Sequence, residues 1–130
     1  MADFRYRIYT DQANNLIRVD LRGTLTRSGI MSAVSEARDL AHQEERNLLY
    51  DMRTMEMPEG ILLSEILTFV RTHTRLNSEE ATKFRSASLV VKQLLSDEVW
   101  ELYQYASRNA GLQWEFFTEE EQAIDWLCAD

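Results

Sequence analysis

The apolar residues of this chain change their spacing after residue 24, and this change limits the folds available to it. Within residues 4–9 and 17–22 they alternate with polar residues, which is the period of an amphipathic strand. A polar stretch over residues 10–15 separates the two runs, so the sequence predicts an antiparallel hairpin that ends at Gly23. From Ser28 onward the apolar residues recur at helical spacing instead.

Beyond the hairpin, helical and strand-like runs alternate to the end of the chain. Short apolar runs at residues 47–51, 87–91 and 114–117 predict three more strands, and the first of them lacks polar alternation, as expected in a sheet interior. Four helices are predicted, starting near residues 28, 62, 96 and 118. The order ββαβαβαβα predicts a single α/β domain over residues 1–130, with a mixed sheet of about five strands that is largely parallel after the hairpin.

Composition excludes several classes of protein. The chain is 45% hydrophobic and 28% charged, which is typical of a globular domain. Its net charge of -8 argues against nucleic-acid binding, because phosphate contacts need clustered Lys and Arg. The single cysteine, Cys128, favours a reducing compartment, and no stretch resembles a signal peptide or an integral membrane segment. We therefore expect a cytoplasmic protein.

The sequence contains no recognisable catalytic, cofactor or metal motif. It has neither a Gly-x-Ser-x-Gly elbow nor a glycine-rich phosphate loop, and His42 and His73 lack the spacing of metal ligands. We expect a protein that is not an enzyme and has no cofactor and no metal.

Three local patterns carry a family resemblance: residues 16–25, a strand with a trailing glycine; residues 48–52, a buried strand; and residues 110–112 with 118–123 near the end of the chain. They resemble the second strand, the central strand and the C-terminal end of the STAS domain, the fold of bacterial anti-sigma-factor antagonists, and in particular of its SpoIIAA-like branch. The resemblance covers nearly the whole chain and implies a regulatory or protein-interaction domain.

One departure from the family pattern concerns its regulatory switch. Antagonists of this type carry an Asp-Ser-Ser-Gly-like segment after the central strand, where a partner kinase phosphorylates a serine. The corresponding residues here are Met57, Pro58, Glu59 and Gly60, and Ser64 lies about one turn further on. The resemblance therefore does not imply a phosphoserine switch, but the loop and the following helix are still expected to form a contact surface.

The first candidate site is this loop with the start of the next helix. Its proposed contact residues are Met55, Met57, Pro58, Glu59, Ile61 and Leu62. Partners of open parallel sheets meet loops at the carboxyl ends of strands, and methionine suits adaptable apolar surfaces. The alternative is that the methionines turn inward and cap the core.

Two further candidates are charged. Period two predicts an anion patch on one face of the hairpin, consisting of Arg5, Arg7, Arg18 and Arg22, with Asp20 among them. Asp51 and Arg53, at the end of the central strand, are candidate contacts for a polar ligand. In both cases the alternative is a structural one, in which the arginines pair with carboxylates of the chain itself.

Three functions follow from these sites. The first is a non-enzymatic STAS-like interaction domain whose partner is a protein, including a second copy in a homodimer. The second is a binding domain for a small apolar or anionic ligand, lipid-like or nucleotide, with a pocket at the carboxyl ends of the strands. An enzyme is the third, and it would need Asp51, Arg53 and a histidine in one cleft.

Overall fold

The computed structural model describes residues 3–56, 84–91, 101 and 113–129. Within them lie five strands and two helices: β1 (Arg5–Asp11), β2 (Leu16–Thr24), α1 (Arg27–Glu44), β3 (Asn47–Glu56), β4 (Ser86–Leu89), β5 (Trp114–Phe117) and α2 (Glu120–Cys128). All five predicted strands are confirmed. Apart from Glu101, the two middle helices that the sequence predicts lie outside the described residues, so the expected count of four helices is not supported.

The five strands form one mixed sheet in the order β1-β2-β3-β4-β5. Strand β1 is antiparallel to β2, and every later pair is parallel, which confirms the predicted hairpin and the predicted direction of the remaining strands. The hairpin turn is held by Asp11, whose carboxylate accepts hydrogen bonds from the backbone and side-chain N–H groups of Asn14. Asn15 completes the turn in the left-handed conformation, at φ 57°.

Each face of the sheet is covered by one of the two described helices. Helix α1 packs on one face, where the buried hydrophobic residues of the strands are Ile17, Val19, Leu21, Leu48, Tyr50, Met52 and Met55, together with Val90 directly after β4. Helix α2 packs on the other face, where Ala123 and Leu127 of the helix contact Leu16, Leu49, Ala87 and Leu89 of the strands. Successive residues of β3 therefore enter opposite cores, which explains why residues 48–50 are all apolar.

Helix α1 begins and ends with recognisable caps. The Thr26 hydroxyl accepts a hydrogen bond from the backbone N–H of Gly29 at 3.1 Å, and Glu45 ends the helix in the left-handed conformation. Its inner stripe includes Ala33, Ala37 and Ala41, all fully buried. Such small side chains allow the helix to lie close to the sheet. Among the described residues, no helix has both the length and the apolar character needed to cross a bilayer.

A bulge in β3 determines the direction of Met55. Asp20 pairs with Asp51, but Arg22 pairs with Thr54, so β3 contains one residue more than β2 over this interval. The extra residue places Met52 and Met55 on the same face, and both enter the α1 core. Met55 is only 6% exposed, so the expectation that it belongs to a surface patch is corrected.

We predict that Gly29→Ala destabilises the protein by about 1 to 2 kcal/mol, although the same change usually stabilises a helix. A Cβ atom at this position would overlap the Phe4 ring and lie 2.7 Å from the Thr26 hydroxyl oxygen. Urea denaturation followed by circular dichroism measures the effect. Ser32→Ala, at an exposed position of the same helix, is the control, and equal stabilisation by both changes would contradict the prediction.

Candidate functional site

The α2 face of the sheet changes from apolar to charged along β2 and β3. Leu16 and Leu49 lie under α2, and the next positions on the same face are Arg18 and Asp51. Two residues further, at the period of a strand, come Asp20 and Arg53. Charged side chains from two neighbouring strands therefore meet beside the beginning of α2.

Five side chains form one charged cluster there: Arg18, Asp20, Asp51, Arg53 and Glu120. The Arg18 guanidinium donates to all three carboxylates, with Nη2 3.3 Å from Asp51 Oδ2 and Nε 3.4 Å from Asp20 Oδ1. Arg53 binds Asp51 through two parallel hydrogen bonds of 2.9 and 2.8 Å, and its Nη2 lies 3.4 Å from Glu120 Oε1. Bidentate arginine–carboxylate pairs are among the stronger hydrogen-bonded ion pairs in proteins.

The surroundings keep three members of the charged cluster ionised. Burial tends to lower the pKa of Arg18, but its hydrogen bond to Glu120 and the nearby negative charges outweigh burial and raise that pKa. Burial tends to raise the pKa of Asp51, but the hydrogen bonds and charge of Arg53, with the charge of Arg18, bring it below its usual value. The pKa of Arg53 is raised, chiefly by its hydrogen bond to Asp51. This mutual stabilisation is expected of opposite charges in partial burial.

The charged cluster fixes the beginning of α2, and two other residues fix its end. Glu120 lies in the first turn, where its carboxylate also interacts favourably with the helix dipole. At the other end Arg85 Nη1 donates to the carbonyls of Trp126 and Ala129, and Asn47 Nδ2 donates to the carbonyl of Leu127 at 2.7 Å. Polar contacts therefore hold α2 to the sheet at both of its ends.

The structure brings Asp51 and Arg53 together and adds two partners that the sequence did not connect with them. Arg18 reaches them from β2 because it lies on the same face, a relation that strand period predicts. Glu120 is 102 positions away from Arg18. No local pattern in the sequence indicates that pairing, which follows only from where α2 docks.

The four arginines of the predicted anion patch lie in two different environments, three of them exposed and one largely buried. Arg5 pairs with Arg22 across the hairpin, and both are exposed on one face together with Arg7, as the strand period predicts. Arg18 lies on the same face, but its side chain is only 14% exposed and is engaged by carboxylates. We therefore correct its assignment from an anion-binding residue to a member of the charged cluster.

The predicted contact surface after β3 is described only at Met55, which belongs to the strand itself. Met55 is buried, and Met57, Pro58, Glu59, Ile61 and Leu62 lie outside the described residues. Strand β3 ends at Glu56, whose carbonyl accepts a hydrogen bond from the N–H of Leu25 at 2.8 Å. Strand β3 therefore ends at the carboxyl edge of the sheet, beside the segment that leads into α1.

A cleft of about 420 Å³ lies at the opposite edge of the sheet, where β2 and β3 begin. It is lined by Asn14, Asn15, Glu45, Arg46, Asn47, Phe84, Leu127 and Cys128. The sequence predicts a ligand pocket at the carboxyl ends of the strands, and this cleft is at the amino ends. Within the described parts of the chain, no three His, Cys, Asp or Glu side chains are arranged to hold a metal ion.

The fold and its two-sided core define a mixed α/β domain of STAS type. A family model described as SpoIIAA-like matches residues 16–128. The chain therefore belongs to the SpoIIAA-like family.

Comparison with solved structures supports the same fold. An uncharacterized protein from the DUF3478 family of Shewanella loihica PV-4, with a SpoIIAA-like fold, is 17% identical to this chain with a TM-score of 0.56. The match covers 98% of this chain and 99% of that one. A search of curated proteins finds no match.

We predict that Arg18→Met lowers the free energy of unfolding by about 2 kcal/mol, because it leaves three carboxylates with less compensation in a partly buried place. Methionine keeps much of the aliphatic part of the arginine side chain, so the loss of unfolding free energy reports mainly the removal of the charged guanidinium. Arg22→Met, at an exposed position of the same strand and face, is the matched control. Chemical denaturation compares the two, and equal losses would contradict the structural role of Arg18.

The lowered pKa of Asp51 predicts a dependence of stability on pH. Its carboxylate should stabilise the fold fully above the ordinary pKa of 3.8, and this contribution should disappear as the pH falls through the lower value of the folded state. The difference in unfolding free energy between the protein and Asp51→Asn should therefore be constant near neutrality and shrink in acid. Denaturation curves at a series of pH values measure it.

Arg53→Met provides the control for this pH dependence. The side-chain hydrogen bonds and the charge of Arg53 help to lower the pKa of Asp51, and Arg53→Met removes both while it keeps the backbone N–H bond, so the acid loss should shift to higher pH. In that background Asp51→Asn should also cost less stability. A pH profile that is unchanged by Arg53→Met would contradict the assignment.

Proposed function

We propose that this chain is a non-enzymatic regulatory or protein-interaction domain of STAS type. Its contact surface is the carboxyl edge of the sheet, formed by the loop that follows β3 and the residues after it. Membership in the SpoIIAA-like family and the mixed α/β fold support this class of function. A cytoplasmic location is part of the same proposal.

The observation that carries the proposal is where β3 ends. It is the longest described strand, with ten residues, and it is the middle strand of the sheet. In open sheets with parallel strands, partners and ligands meet the loops at the carboxyl ends. The segment beginning at Met57 follows directly from this end of β3 and is therefore well placed for contact.

A neighbouring residue supports an apolar contact at the same edge. Val91 follows β4, and it is the one large hydrophobic side chain among the described residues that is exposed, at 39%. Val90, directly before it, is buried, and its backbone N–H donates a hydrogen bond to the carbonyl of Phe117. Val91 therefore follows a residue that is fixed in the sheet, and it offers an exposed apolar side chain at the carboxyl ends of the strands.

Contacts around the bulge fix the last residues of β3 in place. Thr54 Oγ1 donates to the carbonyl of Leu21 at 3.2 Å, and Met55 is anchored in the α1 core. The chain therefore reaches the contact segment from a fixed position, which lowers the entropic cost of binding a partner. Because the segment lacks the acceptor serine of the family's switch, its binding would not be controlled by phosphorylation at that position.

A small-molecule function is the alternative. It requires a pocket at the carboxyl edge, whereas the cleft among the described residues lies at the amino edge and is lined largely by polar side chains. The apolar and exposed Val91 favours a protein partner over an enclosed ligand. We therefore retain protein interaction as the proposed function.

Site-specific photo-crosslinking in the cells of origin tests this proposal. A photoreactive phenylalanine analogue is introduced at Met57 or at Val91, and in a third variant at Asp125, an exposed position of α2. We expect the same protein, or a second copy of this chain, to be captured from the first two positions and not from Asp125. Equal capture from all three, or none from any, would overturn the proposal.

A substitution test separates contact from folding. We expect Met57→Glu to reduce the product captured from Val91 at least five-fold, because a charge in an apolar contact must be desolvated. Met57→Leu should leave the product unchanged. Circular dichroism verifies that both variants fold, and an equal effect of the two substitutions would count against an apolar contact at this edge.

A further inference from the structure

Strand β1 is an end strand of the sheet and has the properties of a surface for pairing. Among the described residues it pairs only with β2, so one row of its backbone N–H and C=O groups faces outward. It spans seven residues, or about 24 Å of strand. A free edge of this length is a template for another strand, which proteins either protect or use.

The side chains of β1 are divided between the two faces of the sheet. Tyr6, Ile8 and Thr10 lie on the α1 face, where Tyr6 and Thr10 donate hydrogen bonds to Glu36 and Glu44 of the helix. The opposite face carries Arg5, Arg7, Tyr9 and Asp11, in that order. Positive charge is thus concentrated at the beginning of the strand, and the negative charge lies at its end.

We propose that two copies of this chain form a homodimer by antiparallel pairing of their β1 strands. The two-fold axis passes beside Ile8, and the two sheets join into one continuous sheet of ten strands. This register overlaps the strands over their full length and gives about six to eight backbone hydrogen bonds.

The order of charges in β1 is what points to a second copy as the occupant. In the fully overlapped register Arg5 lies opposite Asp11 of the second copy, and Asp11 lies opposite Arg5 of that copy. Arg7 lies opposite Tyr9 of the second copy, and within one chain the Arg7 guanidinium already lies over the Tyr9 ring, 4.7 Å from its centre. Opposite charges that face each other across strands stabilise their pairing.

Other alignments of the same strands are less favourable. Sliding the pair by two residues in one direction brings Arg7 opposite Arg7 of the second copy. Sliding it in the other direction places Arg7 opposite Asp11 of the second copy, but it leaves Arg5 outside the pair and shortens the overlap to about five residues. The fully overlapped register is favoured because it keeps opposite charges facing each other and has the longest overlap.

The α1 face opposes this favourable pairing to some extent. The antiparallel arrangement places Tyr6 opposite Thr10 of the second copy, so Glu36 of one chain and Glu44 of the other lie at the same end of the interface. Each carboxylate accepts a hydroxyl hydrogen bond from its own chain. The net attraction between the copies therefore comes from the backbone and from the face that carries Arg5 and Asp11.

This dimer is independent of the proposed contact surface. It uses the side of the sheet formed by β1, whereas the interaction surface lies at the carboxyl edge. Met57→Glu and Val91→Glu should therefore leave the β1 dimer intact, so failure of either proposal can be recognised without affecting the other.

A charge exchange tests the register. We expect Arg5→Glu to raise the dissociation constant of the dimer about ten-fold, because two attractive pairs become repulsive. Asp11→Lys should act in the same way, and the double variant should return to within about three-fold of the original protein. Asp125→Lys, a change of the same charge at an exposed position of α2, is the matched control.

Sedimentation velocity over a range of concentrations measures these constants. A protein that is monomeric at every concentration would overturn the proposal, and so would a dimer that Arg5→Glu leaves unchanged. Failure of the double variant to restore association would also contradict the register, provided that circular dichroism shows it to be folded.

Disulfide crosslinking provides a second test, since Asp11 also holds the hairpin turn and its variants are liable to misfold. In a Cys128→Ser background, Ile8→Cys should give a disulfide-linked dimer on mild oxidation, because residue 8 of both copies lies at the axis. Thr10→Cys should not, because the two copies of residue 10 lie about 13 Å apart, beyond the Cα separation that a disulfide spans. Equal crosslinking at both positions would overturn the proposed register.

Discussion

The burial of β3 on both of its faces is the constraint on which the rest of this structure depends. Leu48 and Tyr50 enter the core under α1, while Leu49 enters the core under α2. The apolar part of the strand, residues 48–50, has no face left for solvent, so both helices are needed to remove its surface from water. The central position of β3 then determines where the loop that follows it reaches the surface.

The charged cluster marks the limit of the core under α2. Arg18 and Asp51 lie on the same face as Leu16 and Leu49, just beyond the part of the sheet that the helix covers with apolar side chains. Apolar packing has little directional preference, but hydrogen bonds between charged groups do. The cluster therefore orients α2, whose position is stabilised by the burial of Leu127 and Ala123.

The parts of the fold that depend on local periodicity could be predicted from the sequence. Alternation in residues 4–9 and 17–22 indicates two strands and also which arginines share a face, and the apolar run of residues 48–50 indicates a central strand. The direction of Met55 could not be predicted, because the bulge that turns it inward is a mismatch between β3 and β2 and not a property of β3 alone. The pairing of Arg18 with Glu120 could not be predicted either, because it depends on how α2, which is distant in sequence, docks on the sheet.

The order of strands in the sheet has a consequence for the synthesis of the protein. Each strand lies beside its neighbour in the sequence, so the sheet can grow in the order in which the ribosome delivers the chain. The core under α1 can be completed once β3 has emerged. Among the described elements, the helix that covers the other face is the last to be made, and it has only nine residues. Among the described elements no other helix packs on Leu16 and Leu49, so the interval before α2 arrives is one in which the growing protein needs protection from aggregation.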